Sequence, residues 1–334
     1  MADNVGVAVI GVGFVGGQAH VPAFRKIPGS KLIVIGARTE KRVKVLSEKY
    51  GVRYCLDYEK ILDDPEVDAV VLSMPTPFHY ESAMKAMEKG KHVLCEMPLA
   101  PKIEQVRKMA ETAQKNKVIL MPVLNFRFAP VYVKVKEMIQ EGVVRKPVAA
   151  HFREFIPAAA LAEQWPADSW AWDISKSGGY PDFTLSVWSI DMLRWLFENE
   201  IARVEWMTNY VPLKEFGGIL GYNTMGTIKL RNGIVGSLHY GATVNQLTST
   251  SRLEVYGDNT TVLHAVWNNK IIVYSSDPEP KEVAIEAKGT RMWGHYQLDN
   301  HFIECIQQNR QPQVTAEDAV KAQEIAQKMV EKPK

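Results

Sequence analysis

Apolar residues follow two rhythms along this chain, and the change between them divides it. In the first third, short continuous apolar runs alternate with amphipathic stretches. Val5–Ile10 is one such run and ends on glycines, the pattern of a strand buried on both faces of a parallel sheet. Phe14–Ile27 has helical spacing and stops at Pro28-Gly29. Lys31–Gly36, Asp68–Ser73, His92–Cys95 and Val118–Val123 read as further strands. Helices over Glu40–Tyr50, Glu81–Lys89 and Lys102–Asn116 fall between them. Strand alternating with helix predicts a doubly wound parallel sheet with right-handed crossovers. After about Val123 the rhythm changes. Helices are expected over Val131–Glu141 and Leu185–Phe197, and a strand near Val148–Phe155. Strands then follow one another without helices between: Ala202–Tyr210, Thr224–Leu230, Ile234–Tyr240, Arg252–Tyr256, Thr261–His264 and Lys270–Tyr274. Asn232-Gly233 predicts a type I′ hairpin turn between two of them. Helices over Tyr296–Gln308 and Ala316–Glu331 close the chain, and one of them is expected to pack back on the first domain. The fold class is therefore α/β. A doubly wound parallel sheet over 1–123 precedes an α+β domain over 124–334 with a large, mostly antiparallel open sheet.

Composition narrows the class without changing this outline. The chain has 334 residues, 46% hydrophobic and 23% charged, as expected of a globular protein with two domains. Forty Lys and Arg against 38 Asp and Glu leave a formal charge of +2, so no global field recruits nucleic acid or an anionic membrane. No stretch approaches the ~18 apolar residues of a membrane span. The start, Met1-Ala2-Asp3-Asn4, lacks signal-peptide character. The three cysteines, Cys55, Cys95 and Cys305, are far apart and read as buried free thiols in a cytoplasmic protein. His239, His264, His295 and His301 have no ligand spacing, so no catalytic metal is expected.

The chemistry begins at Gly11-Val12-Gly13-Phe14-Val15-Gly16, a G-x-G-x-x-G pattern directly after the first strand and opening a helix. Gly11 permits the tight turn, Gly13 lets backbone approach a diphosphate, and Gly16 lets helix and strand pack closely. The helix start, including Phe14 and Val15, supplies N–H donors and partial positive charge. The expected ligand is a nicotinamide dinucleotide. The second strand ends in Gly36-Ala37-Arg38, with no acid for a ribose 2′-hydroxyl. Arg38 can pair with a 2′-phosphate, so NADP(H) is favoured over NAD(H).

Further segments carry a resemblance. Met74-Pro75-Thr76-Pro77-Phe78-His79, Gly90-Lys91-His92-Val93-Leu94-Cys95-Glu96-Met97-Pro98 and Asn125-Phe126-Arg127-Phe128-Ala129-Pro130 resemble the glucose–fructose oxidoreductase/inositol dehydrogenase/MocA family (Gfo/Idh/MocA). So do Ser177-Gly178-Gly179, Asp191–Leu196 and Arg310–Asp318. The resemblance covers nearly the whole chain. It implies a Rossmann domain, a second domain whose sheet mediates a homodimer or homotetramer, and a nicotinamide pointing into the cleft between domains. It also implies oxidation or reduction of a small sugar-, polyol- or carbonyl-type substrate. Ser73, Pro75, His79, Glu96, Met97 and Asn125 become cofactor-site candidates. Glu96 can bond backbone or ribose, or serve as a helix-start carboxylate.

Three positions depart from the family. Its Glu-Lys-Pro lysine is Met97 here, and its active-site Asp and His fall at Thr184 and Trp188. Neither a hydroxyl nor an indole replaces a carboxylate or an imidazole in proton transfer at neutral pH. Two readings stay open: an oxidoreductase with a different acid–base set, or a catalytically degenerate nucleotide- or metabolite-binding protein. A lyase or hydrolase using tightly bound cofactor is a further alternative. Tyr180, Thr184 and Trp188 lie on one helical face. Tyr180 is the acid–base candidate, with Lys176 or Arg127 as the cation beside it; packing on Trp172 is the alternative for its ring. Met97, Arg127, Trp172, Thr184 and Trp188 are the substrate-pocket candidates. His151, Arg153 and Glu154 alternate on a strand, and one face of that strand is expected to line the cleft.

Overall fold

The computed structural model describes residues 4–243, 250–266, 270–286 and 294–330. They form two compact units, one of Met1–Asn125 with Lys288–Lys321, the other of Phe126–Ala287 with Ala322–Lys334.

In the first unit the order is β1 (Val5–Ile10), α1 (residues 14–24), β2 (Ser30–Gly36), α2 (Glu40–Tyr50), β3 (Arg53–Cys55), α3 (Tyr58–Leu62), β4 (Ala69–Leu72), α4 (His79–Glu88), β5 (His92–Cys95), α5 (Ile103–Asn116) and β6 (Leu120–Pro122). Every β1 and β4 residue is buried, as a strand covered on both faces requires. The six strands are all parallel in the order β3-β2-β1-β4-β5-β6. The order reverses between β1 and β4, and ligands collect at the carboxyl ends of strands flanking such a switch. α1 ends at Phe24, before the expected Ile27, and over Gly16–His20 it widens to i→i+5 hydrogen bonding. β3 and α3 are too short to show a period in the sequence.

The second unit contains α6 (Pro130–Gln140), β7 (Pro147–Phe155), α7 (Ala158–Gln164), α8 (Ile174–Ser177), α9 (Pro181–Leu196), β8 (Ile201–Leu213), β9 (Ile219–Leu230), β10 (Val235–Gly241), β11 (Thr250–Gly257), β12 (Val262–Val266), β13 (Lys270–Tyr274) and β14 (Lys281–Ala284). The eight strands run β14-β13-β12-β11-β7-β10-β9-β8, antiparallel except for β7 beside β10. Helices α6 and α9 pack on one face. Two helices close the chain, α10 (His295–Gln307) and α11 (Ala316–Gln327), and α10 packs on α1 within the first unit. α11 ends at Gln327 and residues 328–330 form a turn, so the helix stops short of the expected Glu331, which itself lies outside the described residues.

Two expectations need correction. The Asn232-Gly233 turn is not type I′, because Gly233 (φ 95°) has positive φ and Asn232 does not. Gly233 N–H donates to Leu230 O at 3.0 Å, so a type I turn is followed by one left-handed glycine. Cys55 is half-buried rather than buried, with its thiol on Asp57 O at 3.3 Å; Cys95 and Cys305 are buried.

Candidate functional site

The three motif glycines separate cleanly by the space around them. Gly11 has φ +92°, and a Cβ there would meet Met74 N at 2.4 Å. At Gly16 a Cβ would lie 1.9 Å from Gly11 O. At Gly13 a Cβ would meet nothing within 4 Å. Two glycines are thus demanded by the protein's own packing. The middle one faces open space beside a helix start, where a side chain would obstruct only a ligand. The residues fit a bound diphosphate on this ground alone. Ser73, at the end of β4, extends the same edge: its N–H donates to Ile10 O at 2.8 Å, and its hydroxyl stands 3.2 Å from where a Gly16 Cβ would lie. Phe14 is exposed and Val15 and Pro75 are half-buried at the same end. Arg38 is exposed just past β2, its guanidinium 4.8 Å above the Phe78 ring.

His79 is buried and braces the loops rather than the ligand edge. Its Nδ1 lies 2.9 Å from Pro98 O and its Nε2 2.7 Å from Met74 O, so it ties the loop after β5 to the loop after β4. Burial pushes its imidazole below the usual range. Met97 is buried behind a cis Met97–Pro98 bond, and Asn125 is also buried.

Glu96 is not a helix-start carboxylate, since no helix follows until Ile103. Its Oε2 accepts the Met97 N–H at 3.2 Å, so the expected backbone bond is made. Its Oε1 lies 3.1 Å from His20 Nε2 and 3.5 Å from His295 Nε2. His20 Nδ1 is in turn 3.0 Å from both carboxylate oxygens of Asp299 on α10. Burial disfavours the His20 imidazolium, but Asp299 and Glu96 outweigh it and hold its pKa up at about 10. Burial raises Glu96, and the two histidines overcome that and bring it to about 2. Asp299 remains raised by burial against the pull of His20. His20, Glu96 and His295 bring one ligand atom each within 4.8 Å, an array with metal-like spacing that a proton on His20 already satisfies. Sequence reading missed His20 and Asp299, which lie 279 residues apart, and gave His295 no partner.

In the second unit α9 is buried along its length except at Thr184, Trp188 and Trp195, which are half-buried. Tyr180 is the residue before its first turn (φ −70°, ψ 174°) and is half-buried too, so Tyr180, Thr184 and Trp188 form an accessible stripe. The Tyr180 ring packs at 6.3 Å from Trp172 and edge-on at 5.0 Å from Tyr210. Trp172 donates its indole N–H to Pro166 O at 2.9 Å. Trp188 stacks obliquely on Phe126 at 6.1 Å. The two cations proposed to serve Tyr180 are both held by carboxylates. Arg127 Nε donates to Asp191 Oδ2 at 2.7 Å and its Nη2 to Oδ1, with both side chains buried. Lys176 pairs with Asp173 at 2.8 Å. Asp182, on the other side of α9, is fully buried and accepts from Thr224 at 2.6 Å and Tyr210 at 3.1 Å.

A glycine cradle on a six-stranded parallel sheet, in a chain that also carries an eight-stranded, mostly antiparallel sheet, defines a dinucleotide-binding α/β protein. The comparisons make the class specific. Residues 5–123 match the Gfo/Idh/MocA oxidoreductase family, NAD-binding Rossmann fold, and residues 136–334 match its C-terminal alpha/beta domain. The chain belongs to this oxidoreductase family. It is 26% identical over 324 residues to scyllo-inositol 2-dehydrogenase (NAD(+)) of Bacillus subtilis, covering 96% of this chain and 91% of that one. It is 32% identical over 200 residues to myo-inositol 2-dehydrogenase of Thermotoga maritima, 59% of this chain and 56% of the relative. Among solved structures, a levoglucosan dehydrogenase in complex with NADH and levoglucosan superposes with a TM-score of 0.86 at 22% identity, over 98% of this chain and 96% of that one. Among the described residues no helix is long and apolar enough to cross a membrane.

Proposed function

We propose that this protein is an NAD(P)-dependent oxidoreductase of a small sugar-, polyol- or carbonyl-type substrate, using acid–base groups other than the family's Lys, Asp and His. The observation that carries the reading is the open space at Gly13 between two glycines that packing demands. Gly11, Gly13, Phe14, Val15, Gly16 and Ser73 would hold the diphosphate. The bound nicotinamide would supply a hydride acceptor or donor. Ala37 offers the ribose no carboxylate and Arg38 offers a planar cation, which supports NADP(H); the relatives named for NAD(+) or solved with NADH support NAD(H). In the second unit the accessible stripe of Tyr180, Thr184 and Trp188, with Trp172, supplies apolar ring area suited to a cyclic substrate. The outer face of the large sheet carries Met207, 74% exposed, directly across from Met225, 48% exposed. An apolar pair on an open sheet face supports self-association there.

The test is titration with NADPH and NADH, followed by a turnover screen of cyclitols, sugars and aldehydes. Binding with turnover is the expected result. Binding without turnover, unrestored by Met97→Lys with Thr184→Asp and Trp188→His, would replace this reading with a ligand-binding role. Failure to bind either dinucleotide would end it.

A further inference from the structure

Two loops of the first unit meet over the carboxyl end of β1, and an arginine lying on an aromatic ring joins them. Gly11 N–H donates to Gly36 O at 2.9 Å, which sets the loop after β2 beside the glycine turn. A Cβ on Gly11 would meet Ser73 C and Met74 N at 2.4 Å, which sets the loop after β4 against the same turn. β2 and β4 are the two neighbours of β1, so the loops approach from opposite sides. Arg38 leaves the first loop and Phe78 the second, with the guanidinium carbon 4.8 Å from the ring centroid. The two partners differ in freedom. Phe78 closes a 3₁₀ turn over Thr76–Phe78, and its N–H donates to Pro75 O at 3.0 Å. The next residue, His79, is buried with its ring nitrogens on Met74 O and Pro98 O. Phe78 is thus a fixed platform that still shows 40% of its surface. Arg38 sits on an exposed bend between β2 and α2. Among the described residues no carboxylate pairs with it. Glu40, on the same loop, accepts instead from the Tyr54 hydroxyl at 2.5 Å. Arg53, Arg127, Arg145 and Arg194, by contrast, each lie on a carboxylate. A carboxylate fixes a guanidinium by neutralising it. An aromatic face fixes it and leaves its charge and donor edge for another anion.

We propose that Phe78 is a positioning residue for cofactor choice: it holds the Arg38 guanidinium, unneutralised, for the 2′-phosphate of an adenine dinucleotide. The inference rests on the reading of Arg38 as the 2′-phosphate contact. An arginine on a loop bend has many rotamers, and ordering one of them on binding subtracts from affinity. The ring meets part of that cost in advance, and it needs no contact with the phosphate to do so. A ribose hydroxyl carries no charge for the guanidinium to meet, so the ordering favours the phosphorylated ligand alone. Lys41 and Arg42 are exposed nearby and carry the same charge, but among the described residues no aromatic ring holds them. The glycine turn, Arg38 and Phe78 all belong to the first unit, so the device is complete within it.

Calorimetric titration of the full chain with NADPH and with NADH tests this without turnover. Phe78→Leu keeps apolar bulk and removes the aromatic face. It should weaken NADPH about 2- to 5-fold, the worth of an exposed cation–π contact, and leave NADH within about 1.5-fold. Phe78→Trp offers the strongest such face and should bring NADPH to the parent's Kd or below it. In an Arg38→Ala background, Phe78→Leu should change neither ligand. Both Phe78 variants should melt within about 3 °C of the parent, because the side chain is at the surface, and NADH serves as the internal control for any that do not. Equal weakening of both dinucleotides by Phe78→Leu would make the ring an ordinary contact for the shared part of the ligand and overturn the assignment. An NADPH-specific loss that persists without Arg38, or no loss at all, would overturn it as well. In each of those cases the Arg38 reading stands if Arg38→Ala alone still costs NADPH more than NADH. Equal losses from Arg38→Ala, or a parent chain that binds no dinucleotide, would remove that reading and this inference with it.

Discussion

Replacing Gly13 by alanine adds one methyl group at a point with nothing within 4 Å, whereas the same change at Gly16 puts a carbon 1.9 Å from Gly11 O. The backbone at neither position has positive φ, so alanine is not strained by its dihedral angles at either. The two variants should therefore part in opposite directions. Gly16→Ala must push the helix start off the first strand, at about 1–3 kcal/mol for overpacking. At roughly 2–4 °C per kcal/mol for units of this size, its melting temperature should fall by about 2–12 °C. Gly13→Ala has no such cost and gains about 0.4–1 kcal/mol by restricting the unfolded chain, so it should melt at or slightly above the parent. It nevertheless stands where a diphosphate would meet the backbone. Losing one hydrogen bond to a charged phosphate, about 1.5–3 kcal/mol, should weaken dinucleotide binding about 10- to 150-fold. Thermal melts with and without 1 mM-range NADPH or NADH, together with calorimetric titration, measure both effects on the same samples. A Gly13→Ala variant that binds dinucleotide within twofold of the parent would refute the assignment of this open space to a ligand.

Arg38→Ala should weaken NADPH about 10- to 100-fold, the worth of a charge-assisted contact to a 2′-phosphate, and NADH by less than twofold; equal losses in the two titrations would defeat the NADP(H) preference. His20 is held at about 10 against 6.5 in the unfolded chain, so its contribution is complete below pH 6.5 and disappears as pH rises through about 10. Glu96, lowered to about 2, contributes above pH 4.5 and loses that contribution as pH falls toward 2. His20→Asn should cost about 3–5 kcal/mol at pH 7 by leaving two buried carboxylates without their cation. Urea midpoints of parent and variant should converge between pH 7 and 10.5, and a constant gap would show that the imidazolium is not the stabilising form. Arg127→Met alone should cost about 3–5 kcal/mol by stranding Asp191, and most of that should return in Arg127→Met with Asp191→Leu; urea melts of the single and double variants measure the difference.

Local pattern made the first unit's longer strands and helices legible to within a few residues, but not the short β3 and α3. Strands buried on both faces are continuous apolar runs, and α2 spans Glu40–Tyr50 as its spacing predicts. The glycine cradle was legible for a related reason: its demands are on the backbone, and only glycine meets them. The Asn-Gly pair marked the right hairpin but not its geometry, because turn type depends on how many residues the register leaves in the loop, and the sequence shows only the pair. The buried network was not legible at all. His20 lies in a helix whose i→i+5 segment departs from ordinary spacing, and its partners Glu96 and Asp299 are 76 and 279 residues away. No periodicity carries a contact of that range. Glu154 was half-legible: alternation put it on one face of a strand, but only the register with Tyr240 and Ser251 identifies that face as the inner one.

Thr184 and Trp188, which the sequence resemblance sets against the family's Asp and His, bear on which of the two functional readings is sound. Thr184 and Trp188 fall on the accessible stripe of α9, where a side chain meets a ligand or solvent rather than the core. The frame beneath them is made of buried polar pairs: Asp191 holds Arg127, and Asp182 accepts from Thr224 and Tyr210. The open space at Gly13, where a side chain would obstruct only a ligand, favours a chain that binds a dinucleotide, and turnover of a sugar or cyclitol with that dinucleotide decides between the two readings.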